Sequence, residues 1–272
     1  MIEVEIAGAG APALVQDAGR PGRMHQGVPR GGAMVPELLE AANASLGNAP
    51  GAAALEACGE LKLRVVAGGA LWISVDGVPR LLGADGGVVV VPRPVELVAR
   101  YVAFRGALDV PERLGGRGAL PVAGIGRALR KGDRLRVLPP PGPVPAGLEG
   151  RDRAKEVDLA AAVRVLGGPD LDRFAGGALK ALEAAEQTVS PSSDRTGTRL
   201  TGAALPRTGD DRPGPAPMVR GAIQVPASGE AIVLGPDHPV TGGYPVIAVV
   251  IQADWGRISG RRPGTRVRFR VV

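Results

Sequence analysis

Residues 265–272 constrain the fold more than any other stretch: Arg266, Arg268 and Arg270 alternate with Val267, Phe269 and Val271. A helix would scatter these arginines around its cylinder. A strand puts all three on one face and the apolar side chains on the other. Apolar alternation recurs at 2–6, 61–67, 71–75, 95–104, 133–138, 162–167 and 246–252. Between these runs the chain is punctuated by 42 glycines and 26 prolines in 272 residues, which leaves little room for long helices. The core has to be aliphatic, because aromatics are only 3% of a chain that is 44% apolar. The expected class is mainly β with a few short helices.

Two helices are expected. Pro36 suits a first turn carrying Leu38, Leu39, Ala42 and Leu46, with Gly47-Asn48 as the stop. A second is expected over 169–186, although Gly176-Gly177 weakens it. The proline run from Pro139 through Pro143, followed by Glu149 to Arg153, reads as a semi-rigid linker. It divides the chain into an N-terminal domain, 1–140, a linker, 141–157, and a C-terminal domain, 158–272. Both parts end on a glycine turn and an arginine-flanked strand, Gly132-Asp133-Arg134-Leu135-Arg136-Val137 and Gly264-Thr265-Arg266-Val267-Arg268-Phe269. Two small barrels of related plan use every strand and remove open edges.

The net charge of +6 raises nucleic acid as a partner, but two Trp, two Tyr and three Phe are few for base stacking, and the arginines are dispersed. The charge reads as a solvated surface, with no nucleic acid partner. The lone cysteine, Cys58, excludes an internal disulfide, fits a reducing cytoplasm, and reads as a small buried apolar residue. No apolar run approaches the roughly 20 residues of a membrane span. The opening Ile2-Glu3-Val4-Glu5-Ile6 is an acidic strand rather than a signal peptide. No phosphate loop and no Gly-x-Ser-x-Gly elbow occur. His25 and His238 are the only histidines; each reads as a solvated loop residue, and neither belongs to a zinc cluster.

The remaining chemistry is carboxylates, guanidiniums and amides on turns. Asp17 and Arg20 lie in Val15-Gln16-Asp17-Ala18-Gly19-Arg20-Pro21-Gly22, and Arg117 in Gly115-Gly116-Arg117-Gly118. Asp194 adjoins Arg195, and Asp237 adjoins His238. Gln224 lies between Ile223 and Val225, and Tyr244 follows Gly242-Gly243. Such groups can orient an amide or a carboxylate through directional hydrogen bonds. Asp17 and Arg20 equally fit a braced turn, Gln224 a capped strand ladder, and Tyr244 a packed barrel rim.

Seven motifs together resemble one family over nearly the whole length. They are Val15-Gln16-Asp17 through Gly22, Gly27-Val28-Pro29, Gly32-Ala33-Met34, Ala54-Leu55-Glu56, Ser193-Asp194-Arg195, Gly221-Ala222-Ile223-Gln224-Val225-Pro226, and Thr241-Gly242-Gly243-Tyr244-Pro245. The resemblance is to the biotin-dependent carboxyltransferase family of allophanate hydrolase subunit 2. Its members include the C subunit of 5-oxoprolinase, a sporulation-kinase-inhibitor antagonist and part of urea amidolyase. It implies two cyclophilin-like β-barrel domains and a cytoplasmic hetero-oligomer. The implied partner is smaller and kinase-inhibitor-like, the B subunit or its subunit 1 homologue. A third, lactam-cleaving subunit or a biotin carboxylase would complete the assembly.

The implied chemistry acts on an amide-like C–N bond, by ATP-dependent lactam opening or by carboxyl transfer from carboxybiotin. This sequence has no biotin-accepting Met-Lys-Met, so the chain itself is expected to bind no cofactor. Carboxybiotin or ATP would arrive through partner subunits. Under this resemblance Asp194, Arg195 and Asp237 are the catalytic candidates. Arg117, Gln224, Gly243, Tyr244, Asp17 and Arg20 are the substrate-binding ones. The alternative is a non-catalytic regulatory binding protein. Four departures favour it: Val35 where the family has Asp, Gly116-Arg117-Gly118-Ala119 where it has Ser-Arg-Ser-Thr, Thr198 where it has Tyr, and Val246 where it has Lys.

Overall fold

The computed structural model describes residues 1–140, 142, 144, 146–205, 207, 208 and 214–272. Pro141, Pro143 and Pro145 of the expected linker lie outside the described residues. The chain is mainly β, with three short α-helices among the described residues. None of them is long and apolar enough to cross a membrane. It forms two compact units. One comprises Met1–Pro21 and Gly31–Glu156, the other Gly22–Arg30 and Val157–Val272.

The first unit contains β1 (Ile2–Ala9), β2 (Ala13–Gln16), α1 (Pro36–Leu46), β3 (Ala54–Ala57), β4 (Leu61–Ala67), β5 (Leu71–Val75) and β6 (Val78–Leu82). It continues with β7 (Val89–Val91), β8 (Arg100–Phe104), β9 (Ala107–Leu108) and β10 (Arg134–Leu138). Two antiparallel five-stranded sheets run β7-β4-β1-β10-β9 and β2-β3-β8-β5-β6. Alternation explains their faces. Val4, Ile6, Leu63, Val65 and Val137 point inward to one core with Leu55, Ile73, Val102 and Phe104 of the other sheet. Outward, Glu5 pairs with Arg64 at 3.0 Å and Glu3 with Arg134 at 3.4 Å, each across neighbouring strands. The run expected to start at 95 becomes a strand only at Arg100, because Pro92 and Pro94 hold the approach irregular.

Helix α1 starts on Pro36 and stops at Gly47, whose φ of 75° a side-chain residue rarely adopts. Its buried face carries Leu38, Leu39, Ala42 and Leu46. Ser45 Oγ donates to Ser74 Oγ at 2.7 Å and fastens the helix to β5. Cys58 follows β3 and is exposed, contrary to the buried reading. Ala57 takes the inward position, and the strand period turns the next side chain out.

The second unit contains β11 (Val163–Gly167), α2 (Ala178–Ala184), β12 (Gln187–Val189), β13 (Gly197–Thr201), β14 (Ala216–Pro217) and β15 (Ala222–Gln224). Then follow β16 (Ile232–Leu234), β17 (Thr241–Gly242), β18 (Val246–Val250), α3 (Trp255–Ser259), β19 (Arg266–Val267) and β20 (Phe269–Val271). Eight strands are ordered β19-β12-β13-β16-β15-β18-β11-β20. The two ends of this row are consecutive in the chain, separated by Arg268 alone. One segment therefore serves both edges and curls the sheet into a near-closed barrel. Val163, Ile223, Ile247, Val267 and Phe269 fill the interior, while Arg266, Arg268 and Arg270 face out as their alternation requires.

The second helix is much shorter than expected. Residues 171–173 make one 3₁₀ turn, Phe174 is extended, and helix resumes only after Gly177 at φ 84°. A left-handed glycine cannot continue a helix, so the glycine pair sets a new start rather than a weak middle.

Candidate functional site

In the second unit the turn before β13 presents Arg195. Asp194 Oδ1 accepts the Thr196 N–H at 2.8 Å and the Gly197 N–H at 3.2 Å, a side-chain-closed turn with the carboxylate near solvent. The Asp237 N–H donates to Arg195 O at 3.0 Å, locking the two loops backbone to backbone. Gly235 makes that approach possible: a Cβ there would sit 2.3 Å from Arg195 O. Arg195 then grips Asp237 with a fork, Nε to Oδ2 at 2.8 Å and Nη2 to Oδ1 at 2.9 Å. The side chains are only 16% and 5% exposed, so this pair is largely shielded from water and salt.

His238 is fully buried, contrary to the solvated reading; the residue before it is tied by its N–H to Arg195 O. Its Nδ1 lies 2.8 Å from Pro239 O. A carbonyl only accepts, so Nδ1 carries the proton and Nε2 holds the lone pair. That Nε2 has no hydrogen-bond partner among the described residues. Burial, and secondarily Arg220, hold the imidazole below its ordinary pKa, despite the Pro239 bond and the Asp237 charge. The ring is therefore neutral at pH 7, a fixed acceptor. Arg220 stacks on Trp255 at 4.6 Å, and Arg30 meets the same ring at 5.3 Å.

Gln224 ends β15 with its side chain buried, its Nε2 3.2 Å from Met218 Sδ. A thioether is a weak acceptor, which leaves this amide poorly satisfied. Gly242 lies against it, since a Cβ there would stand 2.6 Å from that Nε2. Gly243 is half-buried, and Tyr244 is exposed at the end of the same loop.

The other predicted residues gather within the first unit. Asp17 Oδ1 accepts the Gly19 N–H at 2.8 Å, and Oδ2 accepts the Arg117 N–H at 2.6 Å. Arg20, 1% exposed, donates from Nε to Arg113 O at 2.9 Å and from Nη2 to Gly118 O at 2.7 Å and Gly116 O at 3.3 Å. Gln16 Nε2 donates to Ala119 O at 3.0 Å. Three buried side chains thus hold the 113–119 loop from beneath, the bracing arrangement. Arg117 alone turns its guanidinium out, to Val110 O and, at 3.5 Å, Glu112.

Known proteins resemble this chain over nearly its whole length. The family model for the carboxyltransferase domain, subdomain A and B, matches residues 26–271. The chain belongs to this carboxyltransferase family. It is 31% identical to the C subunit of 5-oxoprolinase from Escherichia coli strain K12, covering 98% of this chain and 90% of that protein. It is 28% identical to the C subunit of 5-oxoprolinase from Haemophilus influenzae, covering 99% and 91%. The solved Kluyveromyces lactis urea amidolyase superposes on 98% of the chain with a TM-score of 0.85 at 25% identity. This chain spans only 18% of that longer protein.

Within the carboxyltransferase family the departures acquire physical meaning. A Cβ on Gly118 would lie 2.7 Å from Asp17 Oδ1 and 2.9 Å from Gln16 Oε1, and one on Gly116 would lie 2.9 Å from Arg20 Cγ. The backbone of this loop therefore lies directly on the side chains that brace it. Val35 and Val246 are buried at 0% and 4% exposure and belong to the apolar packing. The Ala54-Leu55-Glu56 motif also gains a role that pattern reading missed. Glu56 Oε2 accepts Tyr101 O–H at 2.5 Å and Met34 N–H at 2.8 Å, and Tyr101 Oη accepts Val35 N–H at 2.9 Å. A buried Glu in an alternating strand was the available signal.

Proposed function

We propose that this chain is the C subunit of a 5-oxoprolinase-type complex, acting on the amide C–N bond of a cyclic lactam. The observation that carries the reading is the near end-to-end match to the C subunit of 5-oxoprolinase, 98% of this chain against 90% of the Escherichia coli protein. The Arg195 guanidinium, held by Asp237, supplies chemistry suited to such a substrate, since a guanidinium donates to a lactam carbonyl or to a carboxylate. Asp194 fixes the turn that aims Arg195, while Gln224, Gly243 and Tyr244 shape the neighbouring loop. Arg117, braced by Asp17 and Arg20, is the first unit's substrate contact. In this reading the enzyme also needs a smaller, kinase-inhibitor-like partner and a third, lactam-cleaving one. ATP, or carboxybiotin in a urea-type assembly, is handled by those partners.

The test is ATP-dependent 5-oxoproline turnover by the complex co-purified with its partner subunits. Arg195→Lys should lower kcat at least about tenfold, the scale of one lost charge-assisted contact, and His238→Gln should lower it less, by loosening the loop that carries Asp237. Full activity in Arg195→Lys removes that residue from the mechanism. A regulatory binding protein is the second reading, favoured by buried Val35 and Val246 where the family has charged side chains. Tight association with the partners without turnover of 5-oxoproline, urea or allophanate would establish it.

A further inference from the structure

A cavity of about 440 Å³ opens in the first unit, within the roughly 300–1,000 Å³ typical of small-molecule sites. Its apolar wall includes Val15, Val110, Ile125, Leu129 and Leu135. Val15 and Leu135 otherwise belong to the core, and each keeps 8% exposure, more than any other buried member of that cluster. The cavity therefore reaches the core itself. Three arginines also line it, Arg113 and Arg117 from one loop and Arg127 from another.

Their charges are not equally committed. Arg127 is neutralised by Asp133, with terminal nitrogens 2.7 and 2.8 Å from the two carboxylate oxygens. Arg117 donates to Val110 O and stands 3.5 Å from Glu112. Arg113 is held only by its backbone: its N–H donates to Gly116 O at 2.8 Å, and its carbonyl accepts Arg20 Nε at 2.9 Å. Its guanidinium has no hydrogen-bond or ion-pair partner among the described residues. The surplus is one positive charge beside an apolar hollow.

We infer that this cavity binds a small amphipathic acid, with an apolar body in the hollow and one carboxylate on the Arg113 guanidinium. A polyphosphate would need more uncommitted cations than one. A purely apolar ligand would make no use of the exposed Arg113 guanidinium at the rim. The site borrows Arg117 from the proposed substrate contacts but does not rest on that functional reading, because binding needs neither a partner nor turnover.

The experiment is isothermal titration of the isolated full chain with 4-phenylbutyrate and, separately, with its uncharged amide. The acid should bind at one saturable site, about tenfold or more tighter than the amide, as a charge-assisted fork implies. Arg113→Gln should bring the acid down to the amide's affinity and leave the amide unchanged. Ile125→Trp should fill the hollow and weaken both ligands at least tenfold, with thermal unfolding showing that the variant is folded. Arg113→Lys should fall between wild type and Arg113→Gln. Absence of saturable acid binding, equal affinity for acid and amide, or acid binding unchanged in Arg113→Gln would each overturn the inference.

Discussion

Replacing Arg195 by Met removes the forked guanidinium from Asp237 at a position where the aspartate side chain is 5% exposed. Breaking a buried ion pair from one side costs about 3–5 kcal/mol, most of it the remaining charge's desolvation. Asp237→Asn should cost less, about 1.5–3 kcal/mol. The amide keeps one oxygen for the fork, and the 16% exposure of Arg195 lets water reach the guanidinium. The double variant Arg195→Met/Asp237→Leu buries no charge there and should be more stable than Arg195→Met alone. The chain has two tryptophans, Trp72 in the first unit and Trp255 in the second. In a Trp72→Phe background, Trp255 fluorescence during urea unfolding reports the second unit by itself. An Arg195→Met cost below about 1 kcal/mol, the range of exposed pairs, would refute the reasoning. So would a double variant less stable than Arg195→Met alone.

Burial lowers the His238 pKa in the folded state, so the unfolded chain takes up its proton first as pH falls. Stability of the second unit should be full above about pH 6.5 and decline below it; urea midpoints at pH 7.5 and 5.5 measure this, and His238→Gln should flatten the difference. The Arg127 hydrogen bonds hold the Asp133 pKa down to about 2, so Arg127→Met should return it toward the ordinary carboxylate range in an NMR titration. An unchanged Asp133 titration would contradict that assignment. Gly118→Ser should destabilise the first unit by about 1–3 kcal/mol through overpacking against Asp17 and Gln16. A neutral or stabilising result in thermal unfolding would show that the loop lifts without cost.

The strands were legible because each sheet has a wet face and a dry one: Glu3 and Glu5 outside Val4, and Arg266 outside Val267, write that difference into a period of two. Helix α1 was legible from its proline start and glycine stop. The second helix was misread because apolar spacing continues through Gly177, while a positive φ leaves no trace beyond the residue type. The Asp194–Arg195 and Asp237–His238 pairs stood out as polar groups on glycine-rich turns. That Arg195 would reach Asp237 was not legible, since it depends on β13 pairing with β16 and on Gly235 admitting the Arg195 carbonyl. His238 was misjudged for the same reason: burial of a loop residue is decided by what folds over it. The Gly116-Arg117-Gly118 loop looked like lost hydroxyls in sequence and is a close backbone approach in space.

The eight-stranded barrel is shut by residues 266–271, yet β11, which β20 lines up beside, is made about a hundred residues earlier. During synthesis two raw strand edges, β11 and β12, stay unsatisfied until residues 266–271 leave the ribosome. A nascent chain stalled before position 266 should be the species that chaperones hold and that aggregates. Cutting the protein just after Thr265 should unfasten both seams of the barrel in one stroke.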